Sequence, residues 1–334
     1  MTAVVLIGNG PLAISGLAVM LDELRIAVPL VVSDGDGVED GKRPSLVAAA
    51  VARGYKLGES VLQASPNSAT VLEAVAKLSE PPTLVLSLQA KAILRPAIIG
   101  AGRLGAVNLH NAPLPLLRGC DPFAWAIHDG LLEMGITLHV VPAAGVDDGP
   151  ILGQRFWPIG ADTTAWDLYQ RALPEGTQLL RETLPRVLAE DPTLNATPQA
   201  SRLVTYHPMG QFDYANKTAK WSMTKTTLSA HMRSRIFPLF QLPNFFSTRA
   251  NEHIDILSCC VSCARPERGT ELGVRVAPPS ADDATVALAS TSSALHVACK
   301  WGALAIGRVR LADGSELDAA AWADMCGIAV GDQV

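Results

Sequence analysis

The chain opens on an apolar run, AVVLIG (3–8), and then shifts to apolar positions at helical spacing through GNGPLAISGLAVMLDEL. PLVVSD (29–34) reads as a second strand, SLVAAAVARG as a helix ending at Gly54, VLEAVAKLSE as another helix, and LVLSL (84–88) as a strong strand. Short strands that alternate with helices predict a parallel sheet with helices on both faces, so the first half reads as α/β. GAVNLHNAPLP (105–115) is a strand that breaks into a proline-rich loop, and GITLHVV (135–141) is a strand that runs into AAGVDDGP. Residues 162–190 carry a strong helical pattern, which Pro174 and Pro185 are expected to interrupt.

After about residue 190 the pattern dissolves into closely spaced Pro, Gly and Asn, as in a linker. From residue 254 short strands (IDILSCCV, LGVRVA, TVALAS, ALHVAC, LAIGRVRL) are separated by polar turns, predicting a small all-β barrel or sandwich. The expected organisation is an α/β domain over 1–200, a linker over 201–240 and a carboxy-terminal β domain over 241–334.

Composition supports more than one core: 334 residues, 49% hydrophobic and 18% charged, exceed one ordinary core and are too apolar for disorder. The net charge of −5 leaves no global positive field to hold nucleic acid. No uncharged run approaches the roughly eighteen residues of a spanning helix, and the amino terminus lacks the basic and apolar regions of a leader. Six cysteines are too sparse for a disulfide scaffold. A cytoplasmic protein with no membrane association is expected, and its oligomeric state stays open.

Three features invite chemical readings. Gly8-Asn9-Gly10-Pro11-Leu12-Ala13 follows a strand and opens a helix, with Asp34 at the end of the next strand. That is a weak dinucleotide fingerprint, because Pro11 removes one backbone donor; a turn near a ligand's phosphate and a purely structural turn stay open beside it. Gly8, Asn9 and Gly10 are kept as candidate substrate-binding residues. Cys259, Cys260 and Cys263 lack a second ligand pair at zinc spacing and read as small buried hydrophobes, so no metal is expected. From Tyr214 to Asn251 there is no acid, yet Lys217, Lys220, Lys225, Arg233, Arg235 and Arg249 occur. A solvated face and a phosphate-seeking strip both account for that bias.

A further constellation is more specific: Asn108-Leu109-His110-Asn111-Ala112-Pro113, then Arg118-Gly119, then Asp147-Asp148-Gly149. It delivers an amide, an imidazole and a carboxylate from two strand ends to one edge of a sheet, where open α/β sheets bind ligands. His139, inside the second of those strands, reads either as a pocket residue or as a satisfied core histidine.

This stretch resembles the folate-dependent formyltransferases, which carry Asn-x-His, a prolyl-Arg-Gly loop and a later Asp-x-Gly. The resemblance implies a Rossmann-like catalytic domain, and residues 294–334 look like the end of the OB-like carboxy-terminal domain of the methionyl-tRNA branch. It implies 10-formyltetrahydrofolate as co-substrate and Asn108, His110 and Asp147 as catalytic residues. It also implies a cofactor-binding segment around Ala92 and Leu94 and another from Ala143 through Val146 to Asp147, with Arg118 beside the substrate. Where the commonest loop of the family has a serine two after the histidine, this chain has Ala112, which argues against the tRNA branch's amine.

The residue types suit acyl transfer. An amide N–H donates to a developing oxyanion, an imidazole moves protons near neutral pH, and a carboxylate steadies the charged imidazole. The expected function is N-formyl transfer to an amine or hydroxylamine of a small or carrier-linked metabolite, such as a nucleotide-linked amino sugar or a peptide or siderophore precursor. A phosphate-bearing acceptor would suit the basic stretch. Methionyl-tRNA is the runner-up and the only nucleic-acid partner this reading admits, and hydrolysis of the formyl-folate is a further alternative.

Overall fold

The structure, a computed structural model, describes residues 2–35, 44–191, 194–214, 223, 225–236, 244–247, 252–261, 286–288, 295–299 and 302–328. Backbone contacts divide it into two compact units: Met1–Pro122 with Glu133–Trp157 and Gln170–Met209, and Phe123–Leu132 with Pro158–Tyr169 and Gly210–Val334.

The first unit begins with β1 (Ala3–Gly8), α1 (Gly10–Ala18), β2 (Ala27–Ser33), α2 (Leu46–Ala52), β3 (Val61–Gln63) and α3 (Ala69–Ala76). It continues with β4 (Leu84–Leu88), α4 (Pro96–Ile99), β5 (Ala106–His110), β6 (Arg118–Gly119), the start of α5 (Pro122–His128), β7 (Glu133–Val140) and β8 (Ile151–Pro158). Most of α6 (Ala165–Leu188) and all of β9 (Tyr206–His207) complete it. The main sheet has the order β3-β2-β1-β4-β5-β7-β8.

Strands β1 to β5 pair in parallel and are apolar almost throughout, as burial on both faces requires. The fully parallel expectation fails at β7, which runs antiparallel to β5 with Asn108 opposite His139. Apolar periodicity reports burial and says nothing of strand direction. The expected breaks at Pro174 and Pro185 also fail, because α6 is one helix of 24 residues containing both prolines. Each proline removes one hydrogen bond, but Ala172, Leu179, Leu180 and Leu184 are buried on either side of those gaps. That continuous apolar face holds the helix together.

The stretch 201–240 contains ordered elements: β9 pairs with β6, and α7 (Lys225–Arg233) belongs to the second unit. There Leu228, Met232 and Ile236 recur at i, i+4, i+8 and join one core with Ile254, Ile306 and Trp322. The strands are β10 (Asn244–Ser247), β11 (Glu252–Val261), β12 (Val286–Leu288), β13 (Leu295–Cys299), β14 (Gly302–Arg310) and β15 (Glu316–Asp318), followed by α8 (Ala319–Met325). Their order is β10-β11-β14-β13-β12, with β15 beside β14. Among the described residues the ends of this sheet do not join, so the expected OB-like barrel is not closed there. Among the described residues each of the end strands β10 and β12 has a single partner. No helix of the described residues is long and apolar enough to cross a membrane.

Candidate active site

Period two along β5 puts Asn108 and His110 on one face and sends the buried Leu109 to the other. Because β7 is antiparallel, His139 stands across from Asn108 on the same face. The loop after β7 turns back so that Asp147, in the left-handed region at φ +51°, reaches all three. These side chains face a cleft of about 230 Å³, also lined by Ala92, Leu94 and Val146.

His139 donates Nδ1–H to the Val140 carbonyl (2.9 Å), and its Nε2 lies 3.2 Å from Asn108 Nδ2 and 3.4 Å from Asp147 Oδ1. Asn108 Nδ2 donates to Asp147 Oδ1 at 3.4 Å. The reversed amide would set its oxygen against the Asp147 carboxylate, so the NH2 group faces that side. His110 donates Nε2–H to the Leu117 carbonyl (2.9 Å), and its Nδ1 lies 3.6 Å from Asp147 Oδ2. That gap is long for a hydrogen bond but short for a charge.

Burial pushes His110 below the usual imidazole range, against the pull of Asp147 and the Leu117 carbonyl. Burial also opposes the charge of Asp147, but His110, His139 and the Gly119 N–H (3.0 Å) outweigh it and hold the carboxyl well below the usual carboxylate range. Burial and the carboxylate thus pull the imidazole in opposite directions. A proton arriving at Nδ1 meets that carboxylate, so the ring is set to accept one and release it again.

The glycines of Arg-Gly and Asp-x-Gly have steric causes. Gly119 has φ +90°, and a Cβ there would run into the His207 carbonyl of β9. A Cβ at Gly149 would run into the Val140 carbonyl.

The structure brings together Asn108, His110, Asp147, Ala92, Leu94 and Val146. It does not bring Ala143, Gly8, Asn9, Gly10 or Arg118 to the lining of this cleft. Asp34, the fingerprint's ribose acid, accepts the N–H groups of Lys91 (3.1 Å) and Ala92 (2.6 Å) as well as Asn9 Nδ2 (2.6 Å). Arg118 donates Nε–H and Nη2–H to Gln199 Oε1 (3.0 and 2.8 Å).

In the basic stretch, Lys217, Lys220 and Arg249 lie outside the described residues, as does the side chain of Lys225. Arg233 donates to the Thr163 carbonyl and Arg235 to the His231 and Asp213 carbonyls, so these two serve the second unit's own fold. Cys259 is buried in that unit's core, and Cys263 is outside the described residues. Among the described residues no group of His, Cys, Asp and Glu is arranged to hold a metal.

Residues 3–184, more than half of the chain, match the formyl transferase family, and the chain belongs to that family. It is an enzyme of formyl transfer that uses formyl-tetrahydrofolate. It is 29% identical to the methionyl-tRNA formyltransferase of Trichodesmium erythraeum over 270 residues, 77% of this chain and 74% of that one. It is 32% identical to that of Sorangium cellulosum over 228 residues, 68% and 67% of the two chains. An N-formyltransferase from Helicobacter canadensis, solved with folinic acid and dTDP-3-aminofucose, shares the fold with a TM-score of 0.67 at 18% identity, over 92% of this chain and 99% of that one. HypX from Aquifex aeolicus, solved with tetrahydrofolic acid, gives 0.58 at 16% identity, over 98% and 48%.

Proposed function

We propose that this cleft is where the formyl group moves, and the observation that carries the reading is the convergence of Asn108, His110 and Asp147 at its wall. Leu94, Val141 and Val146 give apolar contact to a flat ring, and the backbone of the Lys91–Leu94 segment offers polar groups at its edge. Those walls fit a reduced pterin. 10-Formyltetrahydrofolate bound there supplies a formamide carbonyl and a nitrogen leaving group.

When an amine adds to that carbonyl, the oxygen gains charge, and Asn108 Nδ2–H is the donor for it. Its 3.4 Å contact with Asp147 is weak enough to yield. His110 takes the amine's proton at Nδ1, Asp147 stabilises the imidazolium, and the same proton returns to the nitrogen that departs. The C–N bond to the new amine forms as the C–N bond to the carrier breaks, and no bond to the protein is made.

The acceptor we favour is the amine of a small phosphate-bearing metabolite such as a nucleotide-linked amino sugar. Support comes from Arg118, whose guanidinium meets a neutral amide and no carboxylate among the described residues, and from the Helicobacter canadensis neighbour with its dTDP-aminosugar. Arg118 and the loop at Ala143 are assigned to the ligands' outer contacts. The turn at Gly8, Asn9 and Gly10 acts through Asp34 on the backbone at Ala92. Methionyl-tRNA is the second reading, favoured by the names of the relatives.

The test is release of tetrahydrofolate from 10-formyltetrahydrofolate with a dTDP-amino sugar, with methionyl-tRNA, and with no amine. Release with the sugar alone is expected. Release only with the tRNA would replace the acceptor, and equal release without any amine would make the enzyme a hydrolase.

A further inference from the structure

We propose that Gln199 is a positioning residue of the formyl-transfer site, acting from beyond residue 184, where the family match ends. The inference rests on the reading of the cleft given above. Gln199 Oε1 accepts two donors of Arg118, at 3.0 and 2.8 Å. Its Nε2 donates to the carbonyls of Asp147 (2.7 Å) and Gly149 (2.8 Å). One amide therefore joins the loop that carries Asp147 to the loop that carries Leu117 and Gly119.

The rest of this segment reinforces the tie on both sides. Thr197 pairs with Ile151 through two backbone hydrogen bonds of 2.8 Å. Thr205 Oγ1 accepts the Leu117 N–H at 2.8 Å, and Tyr206–His207 pair with Arg118–Gly119.

What these ties hold is unfavourable by itself. Asp147 and Leu117 sit at φ +51° and +60°, a region that residues with side chains enter reluctantly. Yet the Leu117 carbonyl must meet His110 Nε2, and Asp147 must meet both the Gly119 N–H and the far side of His110. Gln199 and Thr205 bond to the backbone of these two strained residues and so set the His110–Asp147 separation while touching no reactant.

Gln199→Ala should lower kcat roughly ten- to a hundredfold, the scale of a small misplacement of reacting groups. KM for 10-formyltetrahydrofolate should change less than kcat, since the Ala92 and Leu94 wall is held by Asp34 and only the Val146 side lies on the loop that Gln199 ties. The acid limb of kcat/KM should move to lower pH, because a displaced Asp147 stabilises the imidazolium less. Thr205→Val should act in the same direction, and Thr205→Ser, which keeps the acceptor oxygen, should restore activity. An unchanged kcat and pH profile in folded Gln199→Ala, or in Thr205→Val if the former does not fold, would overturn the assignment. If His110→Asn were as active as the natural enzyme, the reading of the cleft would fail instead, which separates the two conclusions.

Discussion

Two strand ends of one sheet carry an asparagine, and they serve opposite purposes. At the end of β1, Asn9 Nδ2 donates to Asp34 (2.6 Å) and to the Gln89 carbonyl (3.1 Å), and Asn9 Oδ1 accepts from Ser33 Oγ (2.8 Å). Its backbone N–H meets the Leu88 carbonyl at 3.1 Å, so the side chain and the N–H of Asn9 are satisfied inside the protein. At the end of β5, Asn108 holds His139 and Asp147 only at 3.2 and 3.4 Å, beside an open cleft. Short saturated contacts build structure, whereas long contacts facing a cleft can be exchanged for those of a ligand.

The comparison is broken most directly at β5. His110→Asn and Asp147→Asn should each lower turnover by about a hundredfold or more, the range for a proton-transfer group. Asn108→Ala should follow at about a hundredfold, as for loss of one oxyanion donor. Folate binding measured by fluorescence should persist in all three. Near-natural turnover in any of them would remove that residue from the mechanism.

Acid should act on stability through the same pair. Burial holds the folded His110 below its ordinary 6.5, so the unfolded chain gains a proton as pH falls through that value while the folded chain does not. Stability present above 6.5 is therefore lost below it. Asp147, depressed from 3.8, adds stability above that value which is lost at lower pH still. Urea unfolding should show His110→Asn losing less stability than the natural protein between about pH 7 and about pH 5. An identical loss in both would mean that His110 is not the group responsible.

Much of this was legible in the sequence. Strands β1, β2, β4 and β5 are short apolar runs, and Asn108 and His110 two apart on β5 already implied one face. Strand β3 is only three residues long and carries no periodic signal. The direction of β7, and with it the role of His139 opposite Asn108, is decided by sheet pairing and not by its own pattern. Gln199 meets Asp147 across 52 residues of sequence through a loop with no periodicity, and only the fold brings the two together.

At β1 a smaller and different effect is expected. Asn9→Ala leaves Asp34 without one donor and Ser33 without its acceptor, which should cost about 1–3 kcal/mol of stability. Because Asp34 also holds the Lys91 and Ala92 N–H groups, KM for the folate should rise a few-fold while kcat stays within about twofold. A fall in kcat as large as that of Asn108→Ala would place Asn9 in the chemistry and abolish the contrast.

The smallest effect is expected one residue from the largest. Asp147 and Asp148 share a loop and a charge, but Asp147 is mostly buried and accepts the Gly119 N–H, whereas Asp148 is exposed and absent from the lining of the cleft. An exposed carboxylate is screened over about 8–10 Å at ordinary ionic strength, so its charge contributes little at His110. Asp148→Asn should leave kcat and folate KM within about twofold and the acid limb where it is, in contrast to Asp147→Asn in the same assay. A loss in Asp148→Asn equal to that in Asp147→Asn would mean that the net charge of the loop, and not the placement of one buried carboxylate, governs the imidazole.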